Sequence, residues 1–210
     1  MRRYLSIFAL LCCFLSVSGQ DMKTIFVAMP DSLTPLLTKV NKEDCIDFLA
    51  SNMKAEVKNR FDKSAEMKAL TEDYLQFQMT ENSLLEMKLL PLNDSVKVVC
   101  MVKTVCSSAC DSEIHFYTSD WKEELSSADY LQKPSQDAFF IQADTTSEEY
   151  VLARKSADVN LMKAMLSKDD ASLTFIYTTP DYMNKETREK LEPYLRKEPV
   201  VLRWQEGKFR

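Results

Sequence analysis

The sequence predicts an α+β fold: a twisted antiparallel β-sheet, a meander of hairpins, packed against a few helices in a single domain over residues 20–210. Three observations carry this prediction. From Tyr74 onward the apolar residues recur with period 2; ahead of it, Lys42 to Ser51 repeats near 3.6; and stretches of turn composition separate the alternating runs.

Taken in order, Thr24 to Met29 is a short apolar run ended by Pro30, and Asn41 reads as the N-cap of a helix from Lys42 to about Ser51. Cys45, Ile46, Phe48 and Leu49 share one face of that helix, the face of a core. In the first strands Leu75, Phe77 and Met79 alternate with Gln76 and Gln78, and Leu85, Met87 and Leu89 alternate with Glu86 and Lys88. Val96 to Val105 and Glu113 to Thr118 continue the meander, linked by Thr80-Glu81-Asn82, Leu92 to Ser95 and a cysteine loop from Cys106 to Asp111. A short strand is expected at Ala138 to Gln142, then a hairpin of Val159–Leu166 and Ser172–Thr178. Pro180 stops it, and a helix capped near Asn184 runs to about Lys197 with a kink at Pro193. Val200 to Trp204 is the last predicted strand.

The N-terminus carries an address. Arg2 and Arg3 precede an apolar run from Tyr4 to Leu15, and small residues Ser16 to Gly19 precede Gln20, the pattern of a cleavable signal peptide over residues 1–19. The run is shorter than the about 20 residues a membrane span needs. Lipidation at Cys12 or Cys13 is disfavoured, because neither follows a small residue. Removing the signal takes two of the 27 basic residues and none of the 32 acidic ones, so the formal charge moves from −5 to −7. An acidic mature chain argues against nucleic acid and anionic membrane surfaces as partners, and no later stretch is a transmembrane segment. The expected location is the periplasm or the outside of the cell.

Composition excludes several chemistries. The two glycines are Gly19 and Gly207, so phosphate-cradling loops, dinucleotide fingerprints and a Gly-x-Ser-x-Gly elbow are excluded. No cofactor is expected. His115 is the single histidine, which rules out a His-rich zinc site; its simplest reading is an imidazole on the more polar face of a strand. Carboxylates at Asp73, Asp94, Asp111, Glu113, Asp169 and Asp170 fall in or near turns, where solvation is the ordinary state, and Tyr117, Trp121, Phe139 and Phe140 read as core rather than as a sugar platform.

Four cysteines stay in the mature chain: Cys45, Cys100, Cys106 and Cys110, an even number that allows two disulfides and three full pairings. Cys100 and Cys106 would lie about 20 Å apart along one strand, at about 3.3 Å per residue, beyond bonding reach. Cys106 with Cys110 closes naturally across the loop, which leaves Cys45 with Cys100 to pin the first helix to the sheet. Zinc is disfavoured because Cys45 and Cys100 are isolated, and a thioredoxin-type site because the Cys106–Cys110 spacing is too long and flanks a hairpin.

Met29 to Leu33 (MPDSL), Asp73 to Leu75 (DYL), Leu89 to Ser95 (LLPLNDS), Cys106 to Glu113 (CSSACDSE) and Phe116 to Trp121 (FYTSDW) resemble a family of exported proteins from Bacteroides-type bacteria, catalogued as a domain of unknown function. The resemblance covers most of the mature chain. It implies a Gram-negative envelope and one α+β domain, and supplies no activity, ligand or catalytic residue. Two readings follow. The first is a non-enzymatic binding or interaction module for an envelope protein, peptide or glycan. The alternative is an envelope enzyme, either a hydrolase using a carboxylate pair or a thiol system using Cys106 or Cys110 with His115.

Overall fold

The computed structural model describes residues 21–210. The signal-peptide reading and Cys12 and Cys13 lie outside them.

The apolar run after Asp21 is helical: Asp21 caps α1 (Met22–Ala28) through Thr24 N, and Pro30 stops it. α2 (Lys39–Ala50) starts three residues earlier than predicted. Thr38 is the N-cap and Asn41 closes a capping box, each side chain accepting from the other's backbone N–H. Seven antiparallel strands then follow in chain order: β1 (Glu56–Lys58), β2 (Ser64–Leu70), β3 (Tyr74–Thr80), β4 (Ser83–Pro91), β5 (Lys97–Cys106), β6 (Cys110–Thr118) and β7 (Glu124–Leu125). Two short helices, α3 (Ser127–Tyr130) and α4 (Glu148–Ser156), lead to β8 (Met162–Leu166) and β9 (Ser172–Tyr177). Then come α5 (Thr179–Tyr182), α6 (Lys185–Leu191), β10 (Val200–Gln205) and β11 (Lys208–Phe209). The last four strands form a second antiparallel sheet, ordered β11-β10-β9-β8.

The predicted strand at Ala138 to Gln142 is instead a 3-10 turn over Gln136–Phe139 followed by a single bridge at Phe140. Phe139 and Phe140 are both buried in one core, which adjacent residues of a strand cannot achieve because their side chains point to opposite faces. Pro193 ends α6 rather than kinking it, and the chain goes on as a 3-10 turn, Glu192–Tyr194.

Both faces of the large sheet are covered. Leu75, Phe77, Leu85, Met87, Leu89, Val99, Met101 and Tyr117 form one core with Phe26, Cys45 and Ile46 of α1 and α2. On the opposite face Tyr74, Leu90, Val98, Cys100, Val102 and Phe116 meet Leu173 and Phe175 of the small sheet. The layers are therefore helices, large sheet, small sheet. The alternation of Glu86 and Lys88 had marked that second face as polar, yet both side chains are buried.

This corrects the second disulfide. Cys45 and Cys100 belong to opposite cores with the sheet between them, and both are buried free thiols. Cys45 donates to the carbonyl of Ala55, and burial pushes its thiol up to about 11. Burial pushes the Cys100 thiol higher still. Neither is expected to react with iodoacetamide in the native protein, whereas unfolding should expose both; labelling of the folded chain at either position would contradict this packing. The first pair is present: Cys106 and Cys110 are directly opposite in the β5–β6 ladder and form a disulfide. A ring this small removes little chain entropy, so reduction is expected to cost at most about 2 kcal/mol of stability, checked by urea melts with and without reductant.

The seam between the sheets is polar and specific. β8 is an edge strand, and its outward N–H groups are met by side chains of the large sheet: Met162 N donates to Asp111 Oδ1 at 3.1 Å and Ala164 N to Ser112 Oγ at 2.9 Å. Ser112 Oγ also sits 2.8 Å from Thr104 Oγ1. Further along, Glu86 Oε1 accepts from Tyr74 Oη at 2.7 Å and from Gln76 Nε2 at 3.3 Å, while Glu86 Oε2 is buried without a partner among the described residues. Lys88 Nζ donates to the Lys168 carbonyl at 3.1 Å and pairs with Asp73 at 3.0 Å.

Burial raises the Glu86 carboxyl above the usual range, opposed by the Tyr74 and Gln76 hydrogen bonds. A carboxyl that holds its proton more tightly folded than unfolded favours folding fully below its unfolded pKa and loses that contribution as pH rises through the folded pKa. Glu86→Gln is fixed neutral. It is expected to raise Tm at about pH 7 and change it little near pH 4, where model glutamates are largely protonated. A larger loss at neutral than at acid pH in a thermal-melt series would contradict the direction of that shift.

Candidate functional site

A groove of about 710 Å³ opens between the edge of the small sheet and the segment after α3. Its first wall is the β10–β11 hairpin. Glu206 and Gly207 both take positive φ, 50° and 75°, so a two-residue turn of mirror-image twist joins the strands. Glycine relieves the strain at the second position. The hairpin is anchored by Phe209, buried 5.0 Å from the Trp204 ring, and by Trp204 Nε1, which donates to the Pro91 carbonyl at 2.8 Å. The second wall begins at Leu131, which bridges Phe209 in parallel, and continues as non-helical chain through Gln132–Ser135. That wall is held at both ends. Ser127 Oγ donates to the Ile114 carbonyl, and Gln136 Nε2 donates to the Ala157 carbonyl and to Tyr177 Oη.

The floor is apolar, from Leu131, Ala138, Val200, Leu202 and Phe209. The charged lining residues are Lys133, Lys208 and Arg210, and among the described residues no carboxylate side chain lines the groove. Arg210 is paired with Glu206 at 2.8 Å; Lys133 and Lys208 have no ion-pair partner among the described residues. The setting makes this distinctive. The chain is acidic overall, but residues 196–210 hold five basic residues (Arg196, Lys197, Arg203, Lys208, Arg210) against two acidic (Glu198, Glu206), a local balance of +3. An apolar floor with a cationic rim suits a ligand that is apolar on one side and anionic on the other.

The family model described as "Protein of unknown function (DUF3256)" matches residues 14–209. The chain belongs to this family. It is also similar to the solved structure of a domain of an uncharacterized protein from Porphyromonas gingivalis W83, at 27% identity and a TM-score of 0.81, over 92% of this chain and 98% of that one. No curated protein matches the chain.

In this member of the family the residues singled out by sequence are not assembled into one site. Cys106 and Cys110 are joined to each other, and His115 is five residues along β6 from Cys110, about 16 Å at strand rise, so the thiol arrangement with His115 does not form. His115 Nδ1 lies 2.7 Å from Glu124 Oε1 and Nε2 lies 3.6 Å from Glu113, a partly exposed imidazole between surface carboxylates. Asp111 accepts from the β8 edge, Asp73 pairs with Lys88 and Asp170 with Arg203. Phe139, Phe140 and Tyr117 are core, and Trp121 Nε1 donates to the Ile25 carbonyl. Among the described residues no group of three or more His, Cys, Asp or Glu side chains could hold a metal, and no helix is long and apolar enough to cross a membrane. The groove itself went unread in the sequence; the basic bias of residues 196–210 was its visible signal.

Proposed function

We propose that the protein is an exported, non-enzymatic binding module of the cell envelope, and that the groove between β10 and residues 131–135 holds its ligand. The observation that carries this reading is the lining: an apolar floor and a rim of Lys133, Lys208 and Arg210 with no carboxylate side chain among the described residues, on a chain of formal charge −5. Export is supported by the N-terminal pattern Arg2-Arg3, apolar run, small residues, and by a disulfide on the β5–β6 turn, a bond that persists in oxidising compartments. The outer face of the small sheet offers a second open surface, with Ile176 and Val201 exposed, but the concavity beside Ile176 is smaller, about 250 Å³, and Glu198 lines it together with Arg196 and Lys197.

The test is affinity capture from the native envelope by the mature protein and by its Lys133→Glu/Lys208→Glu variant, with Lys185→Glu/Lys190→Glu on α6 as a control of equal charge change. Material retained by the wild type and the control but lost from the groove variant supports the reading. Equal retention by all three, or nothing retained by any, counts against it.

A further inference from the structure

One wall of the groove carries an unpaired backbone position. Arg203 and Arg210 exchange both backbone hydrogen bonds, at 2.7 and 3.0 Å, so the N–H and C=O of Arg203 face β11. Groups facing one side of a strand recur every second residue. The N–H and C=O of Val201 therefore face the same side, beyond the end of β11, where no described residue pairs with them. Val200 and Leu202 alternate with Val201, and they are the β10 residues whose side chains line the groove. The groove thus continues the line of β11 with an open ladder position, an apolar floor below it and cations at its rim. Its volume of about 710 Å³ is that of a ligand site rather than a packing defect.

Resting on the groove reading above, we infer that the occupant is an extended peptide segment carrying acidic residues, added as a strand to β10 in line with β11. Strand addition supplies main-chain hydrogen bonds to Val201, alternate apolar side chains fill the floor, and the acidic ones reach Lys133 and Lys208. Charge selects this occupant over a second copy of the chain: two β10 edges paired about a two-fold axis would bring like cations together, and edge lysines oppose that pairing.

The probe is a fluorescent peptide of alternating Glu and Val with blocked termini, its Lys/Val counterpart serving as control, read by anisotropy with the mature protein. The Glu/Val peptide is expected to bind, more weakly as salt rises, and the Lys/Val peptide not to bind. Val201→Pro, which removes the free edge N–H, and Lys133→Glu/Lys208→Glu are each expected to weaken binding at least tenfold. If Val201→Pro disturbs folding, a probe N-methylated on its strand-facing amides replaces it and should bind at least tenfold more weakly to the wild type. Loss on charge reversal with no effect of Val201→Pro or of N-methylation overturns strand addition and leaves the groove standing. No binding up to about 1 mM overturns the acidic peptide, while envelope capture by the same groove judges the broader reading separately. A wild-type dimer that Val201→Pro converts to monomer makes the second copy the occupant and overturns the inference.

Discussion

Phe116→Ala is expected to destabilise the protein by about 3–5 kcal/mol, the range for removing a fully buried ring. Phe116 has no exposed surface and stands where the two sheets meet, with ring centroids 5.1 Å from Tyr130, 6.3 Å from Trp204 and 6.4 Å from Phe209. Its removal opens a cavity beneath the β10–β11 hairpin that rigid strands on both sides cannot close. For a chain of this length about 2–4 °C of Tm is lost per kcal/mol, so a fall on the order of 10 °C is expected. Phe61 supplies the contrast: 71% exposed on the turn between β1 and β2, its truncation is expected to change stability by no more than about 0.5 kcal/mol. Calorimetry of both variants checks the pair, and similar losses from the two would mean that Phe116 is not part of a close-packed seam. A secondary consequence is that the hairpin carrying Lys208 and Arg210 loosens, so peptide binding should weaken together with Tm.

Ser112→Ala is expected to cost about 2–3 kcal/mol. The substitution deletes only the hydroxyl, which is the acceptor for the Ala164 N–H and the partner of Thr104, both buried between the sheets. An unpaired buried donor carries its full desolvation cost, about 1–3 kcal/mol, and two groups are affected. Hydrogen exchange locates the effect. The Ala164 amide should lose protection relative to amides in the β4–β5 ladder, because the edge of β8 is held to the large sheet by side chains and not by a strand neighbour. Unchanged protection at Ala164 would show that the seam is held by packing alone.

The large sheet was legible because its strands alternate and its turns are short; β3 to β6 fall where the pattern placed them. The ends of the chain were harder for physical reasons. Met22 to Ala28 is only two turns long, too short to display a helical period, and β1 and β2 carry the charged residues Glu56, Lys58, Glu66 and Lys68 on an exposed sheet end. The double coverage of the sheet was hidden because Glu86 and Lys88 look solvated in sequence. Their burial depends on Tyr74 and Asp73 from the neighbouring strand region and on the backbone of residue 168, the last a contact made across 80 residues of chain. The same blindness misplaced the second disulfide. Cys45 and Cys100 both read as core, and only the parity of Cys100 with Val98 and Val102, against Val99 and Met101, shows that they are cores on opposite faces. Of the candidate residues, the disulfide across the cysteine loop was readable from five consecutive residues. The groove was not, because its walls come from residues 131–138 and 200–210, and only the hairpin turn at Glu206-Gly207 brings Lys208 and Arg210 back beside β10.

The measurement that bears most directly on the groove as a binding site is site-specific photo-crosslinking in living cells, with the photoreactive residue at Gln132, an exposed residue lining the groove, or at Lys190 on α6. A defined adduct from position 132 that is absent from position 190, and that disappears when Lys208→Glu is added, is the result predicted for a ligand in the groove. Equal adducts from both positions, or an adduct at 132 that survives the charge reversal, would contradict a ligand held between β10 and residues 131–135.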